Sequence, residues 1–76
     1  MKIEVEYYGM IAERLNLKSE SLEFVSEENI RSFFENKYPT LKNLSYKIAV
    51  NNELTETVDT SLESIKIALL PPFAGG

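Results

Sequence analysis

The residues with the most chemical meaning are the last two, Gly75 and Gly76, reached through Pro71-Pro72-Phe73-Ala74. Two closing glycines offer one reactive group, the Gly76 carboxylate, and without a Cβ on either residue the backbone can thread a channel that a side chain would block. A terminal carboxylate, with an ordinary pKa of about 3.3–3.7, is ionised at neutral pH. It becomes an electrophile only after a partner supplies ATP and neutralises charge, because the chain has no glycine loop to cradle phosphates. The sequence contains no Cys and no His, which removes disulfides, thiolate nucleophiles, the usual zinc ligands and the commonest general base. The expected chemistry is that of a substrate arm: Gly76 reacts, partners catalyse, and the chain binds no cofactor of its own.

An arm of this kind has to be carried by something rigid. Pro71 and Pro72 lock φ and lack an N–H, so a preceding strand ends there and the exit segment is stiffened toward polyproline II. At about 3.1 Å per residue, residues 71–76 would reach on the order of 19 Å from the body. Phe73 on such an arm reads as an anchor for a partner's pocket. The partner-binding set expected from the sequence is Leu70, Pro71, Pro72, Phe73, Ala74 and Gly75 with Tyr8 and Ala68. The competing interpretation of the same segment is a frayed terminus.

Seventy-six residues make one domain, and about 60% of the unfolded surface can be buried at this size. Residues 1–70 are expected to form the domain and 71–76 the tail. A hydrophobic content of 43%, with four Tyr and four Phe, supplies a core despite 26% charged residues. Eight basic against twelve acidic residues give a net charge of −4, which works against nucleic acid and favours a basic protein surface as partner. No stretch approaches the ~20 apolar residues of a membrane span, and Met1 to Glu6 lacks the apolar run of a signal peptide. The expectation is a soluble cytoplasmic protein.

Ile3, Val5 and Tyr7 alternate with polar neighbours as a strand buried on one face. Gly9 breaks it, and Met10 to Leu15 forms a short helix, Ile11 and Leu15 facing the core, that stops at Asn16 in the left-handed cap position. A second strand runs over 19–25, pairing with the first. Ser26 is the expected N-cap of the main helix, with a staple between Val25 and Ile30; Ile30, Phe33, Phe34 and Tyr38 recur at helical spacing until Pro39 ends it. Residues 40–45 read as a loop with Leu41 and Leu44 turned inward. Tyr46, Ile48 and Val50 form a third strand, Asn51-Asn52 a tight turn, and residues 53–58 a short edge strand and exposed loop. Leu62 is expected as a buried plug, and Ile65, Ile67 and Leu69 form the last strand. Tyr8, Ala49, Ala68 and Leu70 should then face away from the helix. The order β-α-β-α-β-β-β fits an α+β layer architecture.

At three places the chain resembles the ubiquitin-like β-grasp sulfur carriers, and more closely the small subunits of molybdopterin synthase. Ile67 to Gly76 resembles the family's last strand followed by Pro-Pro-hydrophobic-small-Gly-Gly, Ala49-Val50-Asn51 its middle-strand exit, and Tyr7 to Arg14 its aromatic pair, small residue and short helix. One departure is Ser61-Leu62-Glu63-Ser64, where members usually turn with Gly-Asp. The resemblance implies a β-grasp fold, a mixed sheet packed on one main helix. It also implies a cycle in which an E1-like adenylating enzyme uses ATP to activate Gly76 and a sulfur donor protein makes the thiocarboxylate. The large subunit of molybdopterin synthase then accepts the tail in a heterotetramer and supplies the catalytic residues, and the sulfur builds the molybdopterin dithiolene. The alternatives are the thiazole-forming sulfur carrier of thiamine synthesis, which usually lacks the Pro-Pro step, a ubiquitin-like modifier conjugated through Gly76, and a β-grasp interaction module whose terminus does not react.

Overall fold

The structure, a computed structural model, describes residues 1–25 and 29–72. In chain order its elements are β1 (Lys2–Tyr7), α1 (Gly9–Leu15), β2 (Ser19–Glu23), α2 (Ile30–Lys37), a 3-10 helix (Pro39–Asn43), β3 (Lys47–Val50), β4 (Glu53–Leu54) and β5 (Ser64–Leu70). The strands form one mixed sheet in the order β2-β1-β5-β3-β4. β1 and β5 run parallel at its centre, Ile3 beside Ile65 and Tyr7 beside Leu69, and the other pairs are antiparallel.

Strict alternation in β1 and β5 puts Ile3, Val5, Tyr7, Ile65, Ile67 and Leu69 on one buried face, as a period of two requires. Ile30 and Phe34 of α2 cover that face with Ile11 of α1 and Leu41 of the 3-10 helix. Phe34 is fully buried, a burial worth about 1.5–3 kcal/mol, and its ring meets Tyr7 and Phe33 edge-on. Pro39 follows the C-cap Tyr38 and ends α2 as expected. Asn16 takes φ 54° at the end of α1, and Asn51 and Asn52 take φ 49° and 72° in the β3–β4 turn.

Several expectations are corrected. Asn29, not Ser26, caps the described helix: its side-chain oxygen accepts from the Ser32 amide at 2.7 Å, which leaves the expected start at Ser26 outside the described residues. Ile30 is then the first helical residue, so a staple to Val25 has no geometry, and Val25 stands exposed. β2 ends at Glu23 rather than 25, although the Phe24 amide still donates to the Met1 carbonyl. The segment read as a loop over 40–45 carries a 3-10 helix, with Leu41 buried as expected. Leu62 is 40% exposed rather than a plug. Asp59 draws residues 59–61 into a turn by accepting from the Ser61 amide and hydroxyl, and Val58 packs on the core instead. Ala49 does lie on the outer face, yet it is only 7% exposed, in a strand paired on both sides, with Ala68 of β5 and Leu54 of β4 beside it.

Candidate functional site

The site is the place where the chain leaves the sheet. β1 and β5 run side by side as far as Tyr7 and Leu69, and the Tyr8 amide then donates to the Leu69 carbonyl at 3.1 Å. On the other side the ladder to β3 ends with Leu70 opposite Lys47. Pro71 and Pro72 have no N–H to continue either ladder, so the strand stops for a covalent reason. Gly9 begins α1 with φ +57° directly under Pro71: a Cβ built on Gly9 would lie 2.7 Å from the Pro71 Cγ.

Two concavities adjoin this exit. A hollow of about 460 Å³ is lined mainly by apolar groups of Met10, Ile11, Leu44, Pro71 and Pro72, with Ser45 at its side. On the outer face of the sheet a shallow depression of about 60 Å³ brings Tyr8 and Ala68 together with Glu6, Ala49, Asn52, Lys66 and Ile67. Tyr8 is 42% exposed and its hydroxyl donates to Glu6 at 2.9 Å; that hydrogen bond raises the pKa of the phenol. Leu70 is half-buried and lines neither concavity.

Of the residues expected from sequence, the structure thus places Tyr8 with Ala68, and Pro71 with Pro72. Phe73, Ala74, Gly75 and Gly76 lie outside the described residues. Sequence reasoning missed Met10, Leu44 and Ser45 as lining residues. Met10 had a signal, since it falls off the core face that Ile11 and Leu15 define, whereas Ser45 had none.

Among the described residues no polar or charged residue is buried and no group of acidic side chains could hold a metal. The tyrosines that reach the interior are satisfied by carboxylates at its edge. Tyr7 and Tyr38 both donate to one oxygen of Glu20, at 2.5 and 2.6 Å, and Tyr46 donates to Glu35 at 2.7 Å. Burial, then the bond to Glu20, pushes Tyr38 up to about 12 and Tyr7 further. These hydrogen bonds join the helix layer to the sheet.

No protein-family model matches the chain. The structure is similar to a Pyrococcus furiosus protein proposed to be molybdopterin converting factor, subunit 1, with a TM-score of 0.73 at 17% identity over 95% of this chain and 98% of that one. It is similar to SAMP1 from Haloferax volcanii with a TM-score of 0.72 at 14% identity, covering all of both chains. The fold is a ubiquitin-like β-grasp. In this β-grasp the parallel pair β1 and β5 delivers Pro71 beside the start of α1, so the tail leaves from the end of the central strand. No helix among the described residues is long and apolar enough to cross a membrane.

Proposed function

We propose that the protein is a sulfur carrier acting in the cytoplasm as the small subunit of a molybdopterin synthase. The observation that carries this reading is a β-grasp body whose central strand ends at Leu70-Pro71-Pro72 and runs in sequence to Phe73-Ala74-Gly75-Gly76. An E1-like enzyme would bind the body and draw in the tail; a carboxylate oxygen of Gly76 attacks the α-phosphorus of ATP, pyrophosphate leaves, and an acyl adenylate forms. The outer sulfur of a persulfide on a donor protein then displaces AMP to form an acyl disulfide, and attack of a thiol on the donor's sulfur releases the thiocarboxylate and leaves a disulfide on the donor. The large subunit takes the loaded tail and directs the sulfur to the pterin. Structural likeness to a protein proposed as molybdopterin converting factor, subunit 1, supports the choice of acceptor.

A second reading has its own support. Likeness to SAMP1, a ubiquitin-like small archaeal modifier, is equally strong and covers the full length of both chains, which favours conjugation of Gly76 to lysines of target proteins. Both readings share the adenylation step and diverge afterwards. Intact-mass analysis after incubation with the activating enzyme of the source cell, ATP and the sulfur donor tests the carrier reading: replacement of one oxygen by sulfur is expected, and an unchanged mass overturns it. Co-purification then separates the two, since a pterin-synthase large subunit supports the carrier and a ladder of conjugates supports the modifier.

A further inference from the structure

Gly9 meets two demands that are separable in this chain. Its φ of +57° lies in the left-handed region, but at the other positive-φ positions among the described residues, 16, 51 and 52, the chain uses asparagine. Conformation alone therefore does not ask for glycine at position 9. Space does: a Cβ there would stand 2.7 Å from the Pro71 Cγ, with the Cδ at 3.7 Å and the Cβ at 3.9 Å. The first distance is a clash with an atom whose only freedom is the pucker of its ring; the other two are ordinary van der Waals contacts.

We propose that Gly9 is a positioning residue for the tail: by presenting no Cβ, it lets the Pro71 ring lie against the start of α1, and that contact fixes the direction in which the chain leaves the sheet. The supports on either side make the contact decisive. Below Pro71 the backbone is held by the Tyr8 amide on the Leu69 carbonyl and by the Leu70–Lys47 pair. Beyond these bonds Pro71 has no donor of its own, so its orientation rests on packing. Tyr8 is tied down in turn, its carbonyl accepting from the Ile11 and Ala12 amides, which makes the first turn of α1 a firm surface for the proline. Pro72 follows along the hollow beside Met10 and Leu44. A fixed exit direction at Pro71 leaves less ordering to do when a partner binds.

The test is a double-mutant cycle between positions 9 and 71. Pro71→Ala deletes Cγ and Cδ and leaves the Cβ, 3.9 Å from a Cβ at position 9, so it should absorb Gly9→Ala without displacement. Cα–Hα residual dipolar couplings of Leu70, Pro71 and Pro72 should change in Gly9→Ala while those of β1 and the rest of β5 stay. In the Pro71→Ala background, Gly9→Ala should leave them unaltered. Gly9→Asn, which tolerates the φ, should reproduce the altered couplings with less loss of thermal stability than Gly9→Ala. A kinetic arm rests on the carrier reading: in ATP–pyrophosphate exchange by the activating enzyme, Gly9→Ala should raise KM for the protein by about tenfold with kcat nearly unchanged, and by less than about twofold when Pro71 is Ala. Unaltered couplings in Gly9→Ala, or equal changes in both backgrounds, overturn the proposal. If wild-type protein supports no exchange, the carrier reading fails and the couplings alone decide the role of Gly9.

Discussion

Asn51 shows how much one side chain can settle. Its φ of 49° begins the β3–β4 turn, its amide donates to the Lys66 carbonyl at 2.9 Å, and its side-chain oxygen accepts from the Lys66 amide at 2.9 Å. The residue thus closes a two-bond ring with β5 just past the last paired residue of β3. Asn51→Gly keeps the φ and loses the acceptor, which should cost about 1 kcal/mol in urea denaturation, whereas Asn51→Asp keeps an acceptor and should lose less. Equal losses would show that the turn alone matters. This turn and the Asn16 cap were legible in the sequence because the preference for positive φ is local to the residue. Leu62 and Ala49 were not, because their exposure depends on what surrounds them: Val58 packs on the core while Leu62 stands exposed, and Ala49 lies in a strand paired on both sides. Leu70 follows the sequence expectation, half-buried at the end of β5 and outside the core cluster. If the protein is the proposed carrier, Leu70→Asp should weaken binding to an activating enzyme, measured by calorimetry, far more than it lowers the thermal midpoint. Comparable losses in both would mean that Leu70 belongs to the core.

At the scale of elements, the long connection between β4 and β5 is held to α2 by one arginine. Arg31 donates from Nε and Nη2 to the two oxygens of Glu56 at 3.0 and 2.9 Å, and its guanidinium lies 4.4 Å from the centre of the Tyr46 ring. Both contacts use a planar fork that lysine lacks. Arg31→Lys should speed hydrogen exchange at Thr55, whose amide bonds to Ile48 at 3.2 Å, at a cost of about 0.2–1 kcal/mol for so exposed a pair. The bond to Arg31 also holds the Glu56 carboxyl below its ordinary value. Its contribution is therefore present above the ordinary carboxylate range and lost as pH falls through the lowered folded value, so the difference between wild type and Arg31→Lys should shrink in acid. A difference that persists there would assign the effect to the Tyr46 stack. The existence and type of these elements follow from periodicity, but the start of α2 does not. Ser26 and Asn29 are both good caps by local chemistry, and which one serves depends on how α2 seats Ile30 and Phe34 against the sheet.

For the molecule as a whole, alternation in the sequence specified the buried faces of β1 and β5, and the family resemblance implied a mixed sheet, but the parallel pairing of β1 with β5 has no local signal, because partners such as Val5 and Ile67 lie near opposite ends of the chain. Besides the apolar packing, phenolic hydrogen bonds fasten the helix layer to this sheet. Tyr7 and Tyr38 share Glu20, joining β1, β2 and the end of α2, and Tyr46 meets Glu35 at the β3 side. Burial first and the carboxylate bond second raise all three phenols above their ordinary value, Tyr38 to about 12 and Tyr7 and Tyr46 beyond it. In the unfolded chain each titrates near pH ~10. A group whose folded pKa is raised contributes fully below the unfolded value and loses that contribution as pH rises through the folded one. The phenolic contribution should thus be constant below pH ~10 and fall above it, with the urea midpoint dropping as tyrosine ionisation, followed by ultraviolet absorbance, becomes coupled to unfolding. Glu20→Gln keeps an acceptor but removes the charge that opposes phenolate, so Tyr7 and Tyr38 should ionise at lower pH and the alkaline loss should be shallower. Tyrosines that titrate freely near pH ~10 with circular dichroism unchanged would mean that the Glu20 clasp does not hold the two layers together.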